Sequence, residues 1–294
     1  MKQKTLALQQ IYREGTACLK EAGIADAAQD AWLLLSYVTG ISKAVYYGYP
    51  DRCVSEEEAG RYSACIDRRS RRIPLQHITG EQEFMGYSFL VNEHVLIPRQ
   101  DTEILVEEAL KLVKPGMHIL DICTGSGCIL LSLLKKCTEL TNGKGKTDRC
   151  VVGTGTDISE EALAVAVKNA ERLGVRADFI QSDLFGQVEE RFDMILSNPP
   201  YIPTKVINEL QDEVRLYDPY IALDGKEDGL HFYREIIHDS INYMKKDGYL
   251  MFEIGCEQGE AVTSLLKNAG YKDICVKKDL AGLDRIAAGR YNGE

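Results

Sequence analysis

The sequence predicts an α/β protein, a mostly parallel sheet flanked by helices and preceded by a small helical bundle. Three observations carry this. From residue 118 onward, apolar strands alternate with amphipathic helices, which calls for a parallel sheet covered on both faces. The first 80 residues show helical spacing of apolar positions. The chain has 294 residues, of which 45% are hydrophobic and 27% charged. That is the length of about two domains, and it excludes a disordered or collagen-like chain.

The elements follow in order. Leu8, Ile11, Tyr12 and Leu19 recur at helical spacing. Asp26 is a candidate cap for a helix over 27–38, and Gly40 stands where that helix should stop. Ser55 followed by three glutamates starts another helix, because acids favour the positive end of the helix dipole. It runs to about residue 71, and Pro74 ends the pattern. Between residues 80 and 95, Phe84, Tyr87, Phe89 and Val91 around Gly86 predict a hairpin. Asp101 or Thr102 is the expected cap of a helix over 104–113. Seven strands are then expected, over 118–123, 150–156, 177–181, 192–197, 249–254, 272–277 and 285–289. Helices over 129–136, 160–173, 229–244 and 259–269 separate them. The last two strands have a short link and suit an antiparallel edge. The polar stretch 141–149 reads as a solvated surface loop. The domain boundaries expected from this are 1–78, a helical bundle; 79–97, a hairpin linker; and 98–294, the sheet domain.

Charge and cysteine usage remove several function classes. The net charge of −10 is the wrong sign for a protein that coats a duplex, so no stable nucleic-acid binding is expected. No apolar run approaches the roughly 18 residues of a membrane span, and the first ten residues lack the pattern of a signal peptide. Nine cysteines, an odd number with only Cys123 and Cys128 close together, form neither a disulfide framework nor a metal site. A cytoplasmic setting without membrane contact or metal fits these features. Residues 1–80 carry a net +2 and the remainder −12. The basic cluster Arg68, Arg69, Arg71 and Arg72 is either a solvated helix end or a partner-binding patch.

Four strand ends carry chemistry. The first is Asp121-Ile122-Cys123-Thr124-Gly125-Ser126-Gly127, a strand leading through a tight glycine loop into a helix. Such a loop brings backbone close to a ligand. A dinucleotide fingerprint would need glycine at position 130, which is Leu130, so a dinucleotide is disfavoured. An acid before the loop suits an ammonium-bearing ligand such as S-adenosyl-L-methionine. The second is Asp157, 30 residues beyond Gly127, which can accept from ribose hydroxyls or cap the next helix. The third is Asp183 with Leu184 and Phe185. This acid accepts from an adenine amino group, with Leu184 or Phe185 against the ring, or it is an ordinary loop acid. The fourth is Asn198-Pro199-Pro200-Tyr201. The prolines stiffen the backbone and remove two N–H donors, so Asn198 and the Pro199 carbonyl can accept both hydrogens of a substrate NH2 group. Tyr201 offers a ring to stack on a flat group. Asn198, Pro199 and Tyr201 are the candidate catalytic residues. With Pro200 they also form the candidate substrate site, and Asn198 is counted with the cofactor set as well.

These motifs resemble the PrmC/HemK family of peptide chain release factor glutamine N5-methyltransferases. Further segments carry the resemblance: Pro74-Leu75-Gln76-His77-Ile78-Thr79-Gly80 with Phe84-Met85-Gly86, and Leu96-Ile97-Pro98-Arg99-Gln100-Asp101-Thr102-Glu103. Ala222-Leu223-Asp224-Gly225 through Asp228-Gly229-Leu230, Glu253-Ile254-Gly255, and Asp279 through Arg285 match as well. It implies a seven-stranded Rossmann-like methyltransferase domain that uses S-adenosyl-L-methionine. The methyl acceptor would be the glutamine of the G-G-Q tripeptide of class-I release factors. It further implies that Asp121, Cys123, Thr124, Gly125, Ser126, Gly127, Asp157, Asp183 and Leu184 bind the cofactor, that Asn198 to Tyr201 hold the glutamine amide, and that the bundle helps dock the release factor. The sequence departs from the family at Gln100, where proline is common, at Cys123, where the first loop glycine stands, and at Asp224 before a single glycine. A small residue at 123 is expected to need a slightly different backbone. The alternatives are a glutamine methyltransferase acting on a ribosomal large-subunit protein, a nucleic-acid adenine-N6 methyltransferase, and a non-catalytic cofactor-binding module.

Overall fold

The computed structural model describes residues 6–49, 52–141 and 151–293, so the expected loop at 141–149 lies almost entirely outside the described residues. The chain divides into two compact units: residues up to Gly80 with Gln211–Tyr217, and Glu81–Leu210 with Asp218–Glu294. The hairpin expected to be a linker is therefore part of the second unit, and a short segment from far along the chain joins the first.

The first unit is helical. It contains α1 (Leu8–Glu21), α2 (Ala27–Thr39), α3 (Lys43–Gly48), α4 (Glu56–Ser70) and α5 (Leu75–Thr79). A two-residue ladder joins β1 (Leu6–Ala7) to β2 (Cys53–Val54). Ser55 caps α4 in a reciprocal arrangement with Glu58, as the three glutamates suggested. Gly40 ends α2 in the left-handed conformation. Asp26 stands at the start of α2, but its side chain makes no capping hydrogen bond. The core of the unit is Leu8, Leu19, Leu34, Leu35, Trp32, Tyr46, Tyr62 and Ile66, with Trp32 and Tyr46 packed edge-to-face.

The basic cluster at the end of α4 is used inside this unit. Arg69 is buried, with Nε 2.7 Å from Asp30 Oδ2 and Nη2 3.3 Å from Glu213 Oε1. Arg72 reaches the same Glu213 oxygen at 3.3 Å and donates to the carbonyls of Ala22 and Gly23. Arg71 pairs with Asp67, and Arg68 donates to the His77 carbonyl. Two of the four arginines thus hold the later segment in place, and Arg71 stays exposed at the helix end.

In the second unit, β3 (Glu81–Phe84) and β4 (Tyr87–Leu90) form the expected hairpin, with Met85 and Gly86 both at positive φ in the turn. A 3-10 turn over Gln100–Thr102 leads into α6 (Glu103–Leu110), without a side-chain cap from Thr102. The sheet then builds from β5 (His118–Ile122), α7 (Cys128–Thr141), β6 (Val152–Asp157), α8 (Glu160–Leu173), β7 (Asp178–Gln181) and β8 (Phe192–Ser197). After β8 come α9 (Asp212–Tyr217, the segment counted with the first unit), α10 (Tyr220–Leu223) and α11 (His231–Tyr243). The chain continues through β9 (Met244–Glu253), α12 (Gly259–Asn268), β10 (Lys272–Lys278) and β11 (Asp284–Arg290).

The seven strands lie in the order β10-β11-β9-β8-β5-β6-β7. The five from β9 to β7 are parallel, and β11 runs antiparallel between β9 and the edge strand β10. Side chains alternate strictly between two cores. Ile119, Met194, Leu196 and Met251 meet α6 and α7 on one face. Leu120, Ile195, Leu250 and Phe252 meet α11 and α12 on the other. Each fully buried leucine contributes about 1.5–3 kcal/mol.

Candidate active site

The first strand of the sheet, β5, is the middle one of the five parallel strands. Chain order leads from β5 to β6 and β7 on one side and to β8 and β9 on the other. A crevice opens where the order reverses, beyond the carboxyl ends of β5 and β8. A cleft of the second unit lies there, with about 1020 Å³ of empty space including its open mouth.

The glycine loop forms its floor. Thr124 N donates to the Thr156 carbonyl at 2.9 Å, and Gly127 N closes the loop on the Thr124 carbonyl at 2.8 Å. A Cβ on Gly127 would meet Leu131 at 3.0 Å and Ala166 at 3.3 Å, so glycine there lets the loop seat against α7 and α8. Cys123, Thr124, Gly125 and Ser126 line the cleft. Cys123 has φ +60°, the left-handed region that a glycine would occupy. Cysteine in that region carries backbone strain that glycine does not. Cys123→Gly is therefore expected to raise stability by about 1 kcal/mol, the left-handed penalty less the added chain entropy. Urea denaturation of the two proteins would check this, and an unchanged midpoint would remove the strain argument.

Three acids stand at three strand ends. Asp121 is fully buried on the same face of β5 as Ile119, with Oδ2 accepting from Thr124 Oγ1 at 2.6 Å and Oδ1 without a partner. It does not line the cleft. Burial pushes its carboxyl up to about 7, with the Asp157 charge adding to the rise and the Thr124 bond opposing it. Asp157 lines the cleft and accepts from Gly125 N at 2.9 Å and Ser159 N at 3.0 Å. Burial raises its pKa against those two bonds. It thus ties the glycine loop to the next helix, while Ser159 supplies the helix cap by accepting from Ala162 N. Asp183 lines the cleft, is exposed, and among the described residues makes no side-chain hydrogen bond.

The raised Asp121 has a consequence with a definite sign. Between its ordinary value near 4 and about 7, the folded protein holds a proton that the unfolded chain has released. Stability therefore falls across that window as pH rises. Asp121→Asn is expected to lose this part of the pH dependence, and denaturation midpoints at pH 5 and pH 8 measure it. Equal slopes in both proteins would contradict the expectation.

The lip of the cleft follows β8. Ser197 Oγ donates to the Ile122 carbonyl at 2.7 Å, locking the end of β8 to the end of β5. Asn198 and Pro200 face the cleft. Among the described residues, neither the Asn198 side chain nor the Pro199 carbonyl has a hydrogen-bond partner. Pro199 is buried and does not line the cleft. Nor does Tyr201, whose ring packs into the second core and whose hydroxyl lies 3.4 Å from Glu253 Oε1. Tyr201 is partly buried, and Phe232 is an aromatic that lines the cleft. Phe185 is also absent from the wall, buried and stacked on Tyr243 at 4.6 Å, whereas Leu184 is on it. Gly127 is not among the residues that line the cleft.

Sequence reasoning missed part of the wall. Arg99 and Thr102 come from the segment before α6, and Pro219, Ile221 and Ala222 from around α10. Arg99 Nη2 sits 2.6 Å from Asp218 Oδ2, whose side chain is 1% exposed, and this joins the two segments. Arg99 and Asp218 lie far apart in the chain, so no local pattern announced the pair.

Comparison with known proteins agrees over both units. The family profile described as PrmC N-terminal domain matches residues 10–80, and that described as methyltransferase small domain matches 100–213. A Geobacter sulfurreducens protein named release factor glutamine methyltransferase is 41% identical over 273 residues, covering 92% of each chain. One of the same name from Clostridium botulinum is 37% identical over 292 residues, covering 97% of this chain and 99% of its own. A T. thermophilus 16S rRNA N2 G1207 methyltransferase, solved with AdoMet and guanosine, superposes with a TM-score of 0.50 at 13% identity. It covers 72% of this chain and 50% of that one, and it shows the fold alone.

Proposed function

The chain belongs to the release factor glutamine methyltransferases, and on that premise we propose how its cleft performs the transfer. The enzyme moves a methyl group from S-adenosyl-L-methionine to the side-chain amide nitrogen (N5) of a release-factor glutamine. The observation that carries our site assignment is that, among the described residues, the Asn198 side chain and the neighbouring Pro199 carbonyl are without hydrogen-bond partners, on a lip held to the end of β5.

The residues present suit the cofactor. The glycine loop supplies close backbone, Asp157 and the free Asp183 supply acceptors for hydroxyl and amino groups, and Leu184 and Ile158 supply apolar wall. In this reading Asp121, Cys123, Thr124, Gly125, Ser126 and Gly127 shape or floor that site. When bound, S-adenosyl-L-methionine supplies an electrophilic methyl on sulfonium.

An amide nitrogen is a weak nucleophile because its lone pair is delocalised. Asn198, on the cleft wall, accepts one of its hydrogens, and the carbonyl of the buried Pro199 beside it accepts the other once the amide is seated on the lip, which orients the lone pair and stabilises the positive charge that grows on nitrogen. Holding both reactants in one cleft supplies the alignment. No base is needed before attack, since the nitrogen loses its proton afterward. Tyr201, its hydroxyl against Glu253, helps anchor the lip. The acceptor we propose is the G-G-Q glutamine of a class-I release factor, with the helical unit contributing to docking.

Transfer of labelled methyl to a purified release factor, followed by peptide mass mapping, tests this. Label on the G-G-Q glutamine is expected. Label on a ribosomal large-subunit protein instead would keep the chemistry and overturn the substrate.

A further inference from the structure

We infer that Gln258 is a positioning residue for methyl transfer, acting through the backbone of Tyr201; this rests on the reading of Asn198 to Tyr201 as the amide-binding lip. Gln258 stands immediately before α12, in a segment that no motif singled out. Its Nε2 donates to the Tyr201 carbonyl at 3.0 Å and to the Gly229 carbonyl at 3.2 Å. Its Oε1 accepts from Gly255 N at 2.9 Å and lies 3.4 Å from the Tyr233 hydroxyl. Both donors of the amide are thereby used, and its oxygen holds a backbone N–H, while the Tyr233 hydroxyl gives its one hydrogen to the Glu253 carbonyl at 2.9 Å. Two carbonyls on one side and a backbone N–H on the other fix which end is nitrogen.

The space around Tyr201 is built for this contact. A Cβ on Gly229, whose φ is +74°, would lie 2.3 Å from the Tyr201 oxygen and 2.7 Å from Gln258 Nε2. A Cβ on Gly225 would lie 2.7 Å from the Tyr201 carbonyl carbon. Two glycines therefore admit the peptide that Gln258 grips. Directly beyond it, Ile202 N donates to the Leu223 carbonyl at 3.1 Å and the Ile202 carbonyl accepts from Gly225 N at 2.8 Å. The lip is thus pinned at both ends, by Ser197 before Asn198 and by Gln258 after Pro200. The two free acceptors lie between these pins.

The consequence is kinetic. An acceptor pair misplaced by about 1 Å costs about 100-fold in rate. Gln258→Glu keeps the shape but sets a carboxylate against two carbonyl oxygens, and Gln258→Met removes both polar ends. Both variants are assayed as full-length protein with a purified release factor, beside Asn198→Ala. Rates are expressed per S-adenosylmethionine-binding site counted by calorimetry, so unfolded chains do not enter. Both Gln258 variants are expected to lower kcat about 10- to 100-fold, with cofactor affinity within about threefold of the parent. Either of two results overturns the proposal: kcat within about threefold of the parent in both variants, or rate and cofactor affinity falling together, which would make Gln258 a general support of the cleft. Asn198→Ala separates the two levels. If it keeps the parent rate, the lip reading itself fails. If it loses transfer while both Gln258 variants keep it, only the role of Gln258 fails.

Discussion

Asn198→Ala is expected to lower the rate of methyl transfer by about 10²- to 10³-fold while leaving the fold and cofactor affinity nearly unchanged. The magnitude is that of removing one preorganised partner from a developing charge. The selectivity follows from the geometry. Asn198 has no hydrogen-bond partner among the described residues, so truncating it orphans no other group and creates no buried unsatisfied atom. Ser197 continues to hold β8 to β5 through the Ile122 carbonyl, so the lip keeps its place. Single-turnover rates at saturating cofactor, with calorimetry for cofactor binding, separate the two effects. A variant that binds cofactor normally and transfers at the parent rate would remove Asn198 from the chemistry.

Arg69→Ala carries the largest expected effect on stability, a loss of about 3–5 kcal/mol from the helical unit. The guanidinium is buried and touches three groups: Asp30 at 2.7 Å, Glu213 at 3.3 Å and the Ile73 carbonyl at 3.3 Å. Its removal strands the Asp30 carboxylate, which is itself buried. Lysine is a poor substitute, because one ammonium cannot reach carboxylates on two sides as the planar fork does. The pair Arg69→Met with Asp30→Leu should recover most of the loss, since a buried ion pair is costly to break but not to replace by well-packed apolar side chains. Chemical denaturation of the single and double variants reads this directly. A single variant within about 1 kcal/mol of the parent would show that Arg69 is better solvated than its burial implies.

The alternation of strands and helices was legible because every turn of it is local. Period-2 and period-3.6 patterns announce themselves within ten residues, and the glycine loop, Asp157 and Asn198 each lie at the end of such a run. The hairpin turn at Gly86 was legible for the same reason. What stayed hidden depends on partners far along the chain. The Tyr201 hydroxyl meets Glu253, at the end of β9. Phe185 leaves the cleft for Tyr243, on α11. Arg99 is placed by Asp218. The left-handed backbone at Cys123 was hidden in another way. Cysteine carries no conformational signal of its own, and only the loop's closure on Gly127 and Thr156 forces the angle.

The membership of α9 in the helical unit has a consequence for synthesis. Chains grow from the amino terminus at about 5–20 residues per second, so the stretch from Gly80 to Gln211 takes roughly 7–26 s to make. Throughout that interval α1 to α5 have emerged, but the carboxylate that Arg69 and Arg72 share has not. The amino-terminal unit is thus the first to appear and cannot be finished until much of the catalytic sheet has been translated. Its final closure is timed by the ribosome rather than by its own helices.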